Sequence, residues 1–440
     1  MTLKEFKQEL LEKSLAAGCE AAEVYCTEGE SFTVGTLEGD IEKYKVANTR
    51  SLSLRVVYDG QDGFAATEVF ENADELVRSA MDNAKSITSE DFHPMQGASE
   101  YQSVETPHQP LFDLNARERI ELARNIEARA KASDERVKRT TGCSVSVIQN
   151  TTTLANTLGL SAQHMEKLGT ISLGLVTSDG TDEKMSGDYF FGSDTRDISH
   201  IIDEVVQDGI MKLGASPVPP GEYKVLFTAK AFCDMLDLFS SIFSAYAAQK
   251  GMSLLAGKEG SMIASECVTL CDDPFYAEYP IPFDMEGVPT FCKNLIENGK
   301  LITLIHSLQT AKAENKTTTG NGTRSGGCAF TNVYIKPSTQ SFENLVSGEK
   351  VLVLSELDGA GTGVNEISGD FSLSAKGGLY ENGVRVRAVN QITAAGNFYE
   401  LLKRITAVGD KLEFVSAYNS GAMGFLGSPC VLVDGLMISG

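Results

Sequence analysis

Two bursts of alternating apolar and polar residues, each bracketed by helix-forming segments, restrict the first half of this chain to an α+β arrangement. The first burst follows Thr2 and Glu5, spaced as a capping box, and a helix bearing Leu3, Phe6, Leu10 and Leu11 that closes near Gly18. From Ala22 to about Glu68 the segments VYCTE, SFTVGTL, IEKYKVA, SLSLRVVY and GFAATE are separated by EGD and DGQDG turns, which predicts an antiparallel meander. Asn72 and Glu75 start a second helix. After a polar connector, Thr88–Pro110, the order recurs: a helix near Asn115–Ala132, the strands VKRTTGCSVSVIQN, TLANTLGL, GTISLGLVTSD and EKMSGDYFFG, then the helix ISHIIDEVVQDGIMKLG. Helix, strands, helix twice over suggests a duplicated unit, with copies at about 1–86 and 114–213 inside an N-terminal α+β domain of residues 1–215.

SPVPPGE, Ser216–Glu222, has the proline and glycine density of a boundary, and residues 222–440 form the second expected domain. Its apolar run Tyr223–Phe227 suits a buried strand. Thr228 can cap a long helix in which Phe232, Met235, Leu236, Phe239, Ile242, Phe243, Tyr246 and Ala247 recur at helical spacing, with Gly251 as the stop. Asp234, Asp237, Ser240, Ser241 and Ser244 fall largely on the other face. Strands dominate thereafter: VTLCDD, GVPTFCKNLIENGKLITLIHSL, TNVYIKP, KVLVLSEL, FSLSAKGGLYENGVRVRAV and CVLVDGLMI, with ENGK and ENGV as hairpin turns and one helix at Phe398–Thr406. The pattern predicts a mostly antiparallel β domain curling toward a partly closed barrel, with the long helix against it.

The chemistry is marked by what the chain lacks. Five histidines, His93, His108, His164, His200 and His306, lie more than ten residues apart, so no HExxH-type metal motif can be written. The opening helix of the second domain has none. Cys267 and Cys271 have no second ligand pair, and GxSxG is absent. DGAGTG, Asp358–Gly363, is followed by a turn-and-strand pattern rather than the helix that a dinucleotide loop requires. TTTGNGTRSGG, Thr317–Gly327, lacks a P-loop ending; with Arg324 it reads either as an anion- or peptide-holding loop or as a flexible surface loop. Asp272, Asp273, Asp284, Glu286, Asp370 and Asp410 sit at turns, where two could meet as acid and base. A formal net charge of -22 disfavours nucleic acid. The nine scattered cysteines and the absence of a membrane-length apolar run lead us to expect a soluble cytoplasmic protein with reduced thiols.

FDMEGVPT, the ENGKL hairpin, TAKAENKTTTGNGTR, SGDFSLSAKGGLYENG, ITAAGNFYELLKRITAVGD and GSPCVLVDGLMISG, in that order, resemble the TldD/PmbA family, whose members are also labelled modulators of DNA gyrase. The resemblance implies a relation to peptidases that act on unfolded peptides and in peptide maturation. In the TldD branch the opening helix carries HExxxH, two zinc ligands with the catalytic glutamate, and a late cysteine is a further ligand. Matching LLAGKEGSMIASE to the segment after that motif places it at Leu236–Ser241: Leu236 and Ser241 replace the histidines, and Asp237 stands for the glutamate. The late cysteine falls near Val415, with Cys430 displaced. The chain therefore resembles the PmbA branch, also called TldE, which implies no catalytic or metal residues here. Zinc is expected only in a TldD-like partner subunit, with an unfolded peptide as substrate and neither nucleic acid nor membrane as partner. Thr319, Gly320, Asn321 and Arg324 are the expected peptide or interface contacts. The alternatives are a hydrolase in its own right, through His306, Cys328 or the turn carboxylates, and a self-paired dimer that binds peptides in a regulatory role.

Overall fold

The computed structural model describes residues 1–86, 93–276, 278–416 and 421–440, so residues 88–92 of the expected connector lie outside the described residues. The Glu5 N–H donates to Thr2 Oγ1 and the Thr2 N–H to Glu5 Oε2, so α1, Leu3–Ala16, starts at the capping box. Strands β1 (Ala21–Leu37), β2 (Asp40–Tyr58) and β3 (Gln61–Thr67) and helix α2 (Ala73–Ser86) complete the first unit. The second repeats it as α3 (Ala116–Ser133, capped by Asn115 and Glu118), β4 (Val137–Asn156), β5 (Ser161–Ser178), β6 (Glu183–Phe191) and α4 (Ile198–Met211). Both units share one sheet, ordered β3-β2-β1-β4-β5-β6 and antiparallel throughout.

The strands are longer and fewer than the alternation implied. VYCTE and SFTVGTL are a single strand, and so are IEKYKVA and SLSLRVVY. The polar interruption TEGE fails to break β1 because neighbours hold it on both sides: Glu28–Glu30 pair with Asn48–Arg50 and with Gln149–Thr151. Helices α1 and α2 cover the first unit through Phe6, Leu10, Leu76 and Val77, and α3 and α4 cover the second through Ile126, Ile201 and Val205. Close approach of α2 explains Gly63, where a Cβ would lie 2.0 Å from the Ala80 carbonyl oxygen and 2.6 Å from the Ala84 nitrogen. Gly63→Ala is expected to cost about 2 kcal/mol by pushing helix from sheet, read as a lower urea midpoint. An unchanged midpoint would mean that α2 shifts freely.

The remaining strands are β7 (Gly221–Phe227), β8 (Leu270–Asp272), β9 (Lys293–Glu297), β10 (Lys300–Leu301), β11 (Val333–Ile335), β12 (Val351–Asp358), β13 (Asp370–Glu381), β14 (Val384–Asn397), β15 (Ile405–Val408), β16 (Glu413–Ser416), β17 (Phe425–Ser428) and β18 (Val431–Ser439). The barrel closes fully: β7, β12, β13, β14 and β18 each pair with two others of the five, the ring completed by β14 with β18 and β18 with β7, while β15 adds to the free part of β18. A second sheet, β10-β9-β8-β11-β17-β16, lies beside it. The domain is mostly antiparallel as expected, but β7 with β12 and β11 with β17 are parallel. The ENGK and ENGV turns put Asn298, Gly299, Asn382 and Gly383 at positive φ, the paired left-handed residues of a tight hairpin.

Phe227, Phe232, Phe239, Phe243 and Phe398 anchor the largest apolar cluster, which belongs to this domain. The long opening helix is broken into α5 (Ala229–Leu238, capped by Thr228), a tight turn at Ser240–Phe243 and α6 (Ala245–Gln249). Serine chemistry accounts for the break. Ser240 Oγ donates to the Asp237 carbonyl at 3.0 Å, Ser244 caps α6, and Ser244 bridges to Ile305. The expected strand LITLIHSL ends at Leu301; Ile305 makes only an isolated bridge to Ser244, and Ser307 caps a short helix, α7 (Leu308–Ala313). Likewise the helix at Phe398 stops at Lys403, and Ile405 enters β15. Among the described residues no helix is long and apolar enough to cross a membrane.

Candidate functional site

The break after α5 opens onto a cleft of about 670 Å³, walled by the α5–α6 turn, residues 323–330 and the loop holding Glu366. Of the positions expected to replace the zinc motif, Asp237 and Ser241 reach this cleft, whereas Leu236 turns into the apolar core at 2% exposure. Ser241 Oγ donates to Glu366 Oε2 at 2.9 Å, and Ser240 and Ser244 add further hydroxyls. Cys328 also lines the cleft, but burial raises its thiol pKa, and Thr310 Oγ1 lies 3.7 Å from the sulfur, so it is a poor thiolate nucleophile. At the two positions where the family resemblance leads us to expect the imidazoles stand an aliphatic side chain and a hydroxyl. Among the described residues no group of three or more His, Cys, Asp or Glu is arranged to hold a metal ion. The cleft does not fit zinc. Val415, on β16, packs against the core, and Cys430 lines a separate cleft with Asp234 and Glu413, so neither late position joins the set.

His306 also stays outside. Ile305 faces the cleft, whereas His306 is 1% exposed with neither ring nitrogen hydrogen-bonded, and burial lowers its pKa. A neutral, enclosed imidazole has no access to a substrate.

The loop Thr317–Gly327 is a built wall rather than a flexible surface. Thr319 Oγ1 donates to Asn321 Oδ1 at 2.8 Å, and Asn321 Nδ2 donates to Asp272 Oδ2 at 2.7 Å and to the Ala329 carbonyl at 2.9 Å. Asp272 is fully buried and is also held by Thr331 and by Lys293 Nζ at 3.0 Å. Gly320, at φ +69, passes so close to Pro289 that a Cβ would lie 2.9 Å from its carbonyl oxygen. Thr323 and Ser325 face the cleft. Arg324 points the other way, donating through Nη1 to Glu23 Oε1 at 2.6 Å and to the Met285 carbonyl at 3.2 Å while lying 4.9 Å over the Tyr25 ring. It thereby ties the loop to β1 of the N-terminal sheet.

Two of the six turn carboxylates converge behind this joint. Asp284 accepts the N–H groups of Glu286, Val288 and Gly322, and Glu286 Oε2 accepts that of Leu308 at 2.8 Å. Burial pushes both upward, and with Asp284 beside it Glu286 reaches about 8. Three donated N–H groups favour charge on Asp284, so of the two it is Glu286 that keeps its proton. Asp273 caps its own turn through the Phe275 N–H, Asp370 is held below its usual range by Asn397, and Asp410 is exposed. Sequence reasoning missed Glu366, Glu23 and Tyr25 as members of these clusters. Only Glu366 had a nearby signal, the glycine-rich DGAGTG segment that leads into its loop.

Three family models match the chain: PmbA/TldA metallopeptidase domain 1 over residues 22–84, the central domain over 109–213 and the C-terminal domain over 220–440. A metalloprotease PmbA homolog of Haemophilus influenzae is 24% identical, covering 96% of this chain and 92% of that protein. A metalloprotease TldD homolog of the same organism is 26% identical over 69% of this chain and 67% of its own length. Among solved structures, a Thermotoga maritima protein named as a candidate modulator of a DNA gyrase is 30% identical with a TM-score of 0.90, all of both chains being covered. TldE from Thermococcus kodakarensis, 23% identical with a TM-score of 0.89 over 99% of this chain and 100% of its own, has the same fold. Matches to all three domains, in order and over most of its length, place this chain in the PmbA/TldD metalloprotease family.

Proposed function

We propose that this chain is the non-catalytic subunit of a two-protein zinc peptidase, paired with a TldD-like chain that carries the metal and the catalytic glutamate. The observation that carries the reading is the refitted cleft: Leu236 is committed to the core and Ser241 to Glu366, so the positions of two family zinc ligands offer no nitrogen. A similar polar cleft, kept without its metal, is suited to holding an extended peptide by backbone and hydroxyl hydrogen bonds. Thr323 and Ser325 would meet the peptide, and Thr319, Gly320, Asn321 and Arg324 would support them from behind. The complex would work on unfolded peptides in the cytoplasm, where the nine free cysteines stay reduced.

The test is metal analysis of the purified chain together with cleavage of an unfolded protein, with and without a TldD-like chain. The expected result is no stoichiometric zinc, no cleavage by this chain alone, and chelator-sensitive cleavage in the mixture that exceeds the TldD-like chain alone. Stoichiometric zinc or chelator-sensitive cleavage by this chain on its own would overturn the proposal.

A further inference from the structure

Strand β8 ends at Asp272 and β9 begins at Lys293, and among the described residues the chain between them, 273–292, holds no helix or strand. Irregular connections longer than about 12–15 residues are usually functional. This one forms much of the contact between the C-terminal domain and the N-terminal half. Tyr279 Oη donates to Glu166 Oε2 on β5, Tyr101 Oη donates to the Gly287 carbonyl at 2.8 Å, and Gln109 Nε2 donates to Glu278 Oε2 at 3.4 Å. The Phe283 and Tyr101 ring centres lie 5.3 Å apart. The same loop carries Asp284, which accepts the Gly322 N–H. Anything that fixes the two roots of this loop therefore steadies the seat between the two halves of the chain.

The roots carry two thiols. Cys271, on β8, and Cys292, one residue before β9, are 21 positions apart in the chain, yet their sulfurs lie 3.6 Å apart. Each is followed by one member of the buried Asp272–Lys293 pair, which is matched across the β8–β9 ladder and bridged at 3.0 Å. That pair holds the strands in register where the sulfurs meet. Cys271 stands opposite Asn294, so Cys292 is its diagonal neighbour. Diagonal Cα atoms of an antiparallel pair are about 7–8 Å apart, against about 4.4–6.8 Å in a disulfide, so a bond requires residue 292 to move inward by roughly 1 Å. Cys292 lies outside the strand, where such a shift breaks no ladder position.

We propose that Cys271 and Cys292 are a reversible oxidation site, at which a small-molecule disulfide such as oxidised glutathione closes a covalent neck on the loop between the two halves of the chain. Exposure sets the order, because Cys292 is exposed and Cys271 fully buried. The Cys292 thiolate attacks one sulfur of the oxidant, forming a mixed disulfide and expelling one thiolate. Cys271 then attacks the Cys292 sulfur, the Cys271–Cys292 bond forms and the second thiolate leaves. The protein thiols lose two electrons and two protons, and the oxidant departs as two thiols. Burial raises both protein thiols, and with Cys271 against it Cys292 reaches about 12. Thiolate is therefore scarce at neutral pH and the bond forms slowly, which leaves the pair open in the reducing interior proposed above. The same property makes each sulfur a slow leaving group, so the bond persists once made. The site requires neither metal nor partner subunit and stands independently of that function.

The test is incubation of the folded full chain, of Cys271→Ser and of Cys292→Ser with oxidised glutathione, followed by peptide mapping by mass spectrometry without reductant. Cys267 is exposed beside Ser265 Oγ and the Ile405 carbonyl, and the oxidant is raised until it carries glutathione in all three chains. In the parent the peptides bearing Cys271 and Cys292 are expected to be joined, with two hydrogens lost, no glutathione retained and full reversal by dithiothreitol. In Cys271→Ser glutathione should stay on Cys292, and in Cys292→Ser the buried Cys271 should remain a free thiol. The joined parent is expected to unfold at a higher urea concentration than the reduced parent, a shift absent from Cys292→Ser treated alike. A parent that keeps glutathione on Cys292, or leaves both thiols free while Cys267 is modified, would overturn the site. An unshifted urea midpoint in the joined chain would overturn its role as a neck.

Discussion

Arg324→Ala is expected to lower the stability of the folded chain by about 3 kcal/mol, because it strands the Glu23 carboxylate in a nearly closed site. The Glu23 side chain is 2% exposed and Arg324 is its ion-pair partner, with Asn156 Nδ2 at a long 3.5 Å. Removing one member of such a pair costs more than the pair contributes, since the surviving charge keeps its desolvation penalty. The lost stacking on Tyr25 adds to it. Arg324→Lys should fall between, retaining charge but losing the planar fork. Glu23→Gln combined with Arg324→Ala should recover part of the loss, because no buried charge remains. Urea unfolding followed by far-UV circular dichroism reads all three variants. An Arg324→Ala midpoint matching the parent would show that the arginine is not a structural tie between the sheet and the loop.

The buried Asp284–Glu286 pair predicts that stability falls as pH rises. In the folded chain burial and the adjacent Asp284 hold the proton on Glu286 to about 8, whereas the ordinary value is 4.5. Between those values the folded state binds more protons than the unfolded state, so stability present at low pH is lost progressively and the loss is complete above about 8. The slope is at most about 1.4 kcal/mol per pH unit for one proton. Glu286→Gln keeps an acceptor for the Leu308 N–H and removes the Glu286 proton, leaving only Asp284 to titrate at this place. The variant should match the parent near about pH 5 and exceed it near about pH 9. Parallel stability curves for the two chains across that range would sink the assignment of the proton to Glu286.

Local signals in the sequence were enough for the units of this fold and not for their assembly. The capping boxes at Thr2 and Asn115 and the hairpins at ENGK and ENGV depend on residues close together in the chain, and they form where the spacing placed them. The closed barrel could be anticipated only as a tendency, since its closure depends on β14 meeting β18 and β18 meeting β7. The β15, β16 and β17 strands are four residues each, too short for alternation to be seen. The helix after Thr228 was overextended because apolar spacing continued through Phe243, while the serines that break it act through their own backbone bonds.

The candidate site divides along the same line. That the helix after Thr228 carries no histidine, at Leu236 and Ser241 or elsewhere, is plain in the chain, because absence of a ligand type needs no geometry. The partners of those positions are not: Ser241 meets Glu366 and Arg324 meets Glu23, contacts spanning 125 and 301 residues. The loop Thr317–Gly327 has the composition of a mobile surface, yet its polar residues satisfy one another and Asp272, which is why Asn321 is fully enclosed.

The ring that closes the barrel also orders events during synthesis. All strands of the N-terminal sheet lie before Gly192, whereas β7 must await β18, about 200 residues later and some 10–40 s at typical elongation rates. Through that interval β7 is flanked at most by β12, and the apolar face of α5 waits with it. A growing chain therefore carries a finished sheet and an unsealed hydrophobic surface side by side on the ribosome, the period in which a chaperone or a partner subunit has greatest access to it.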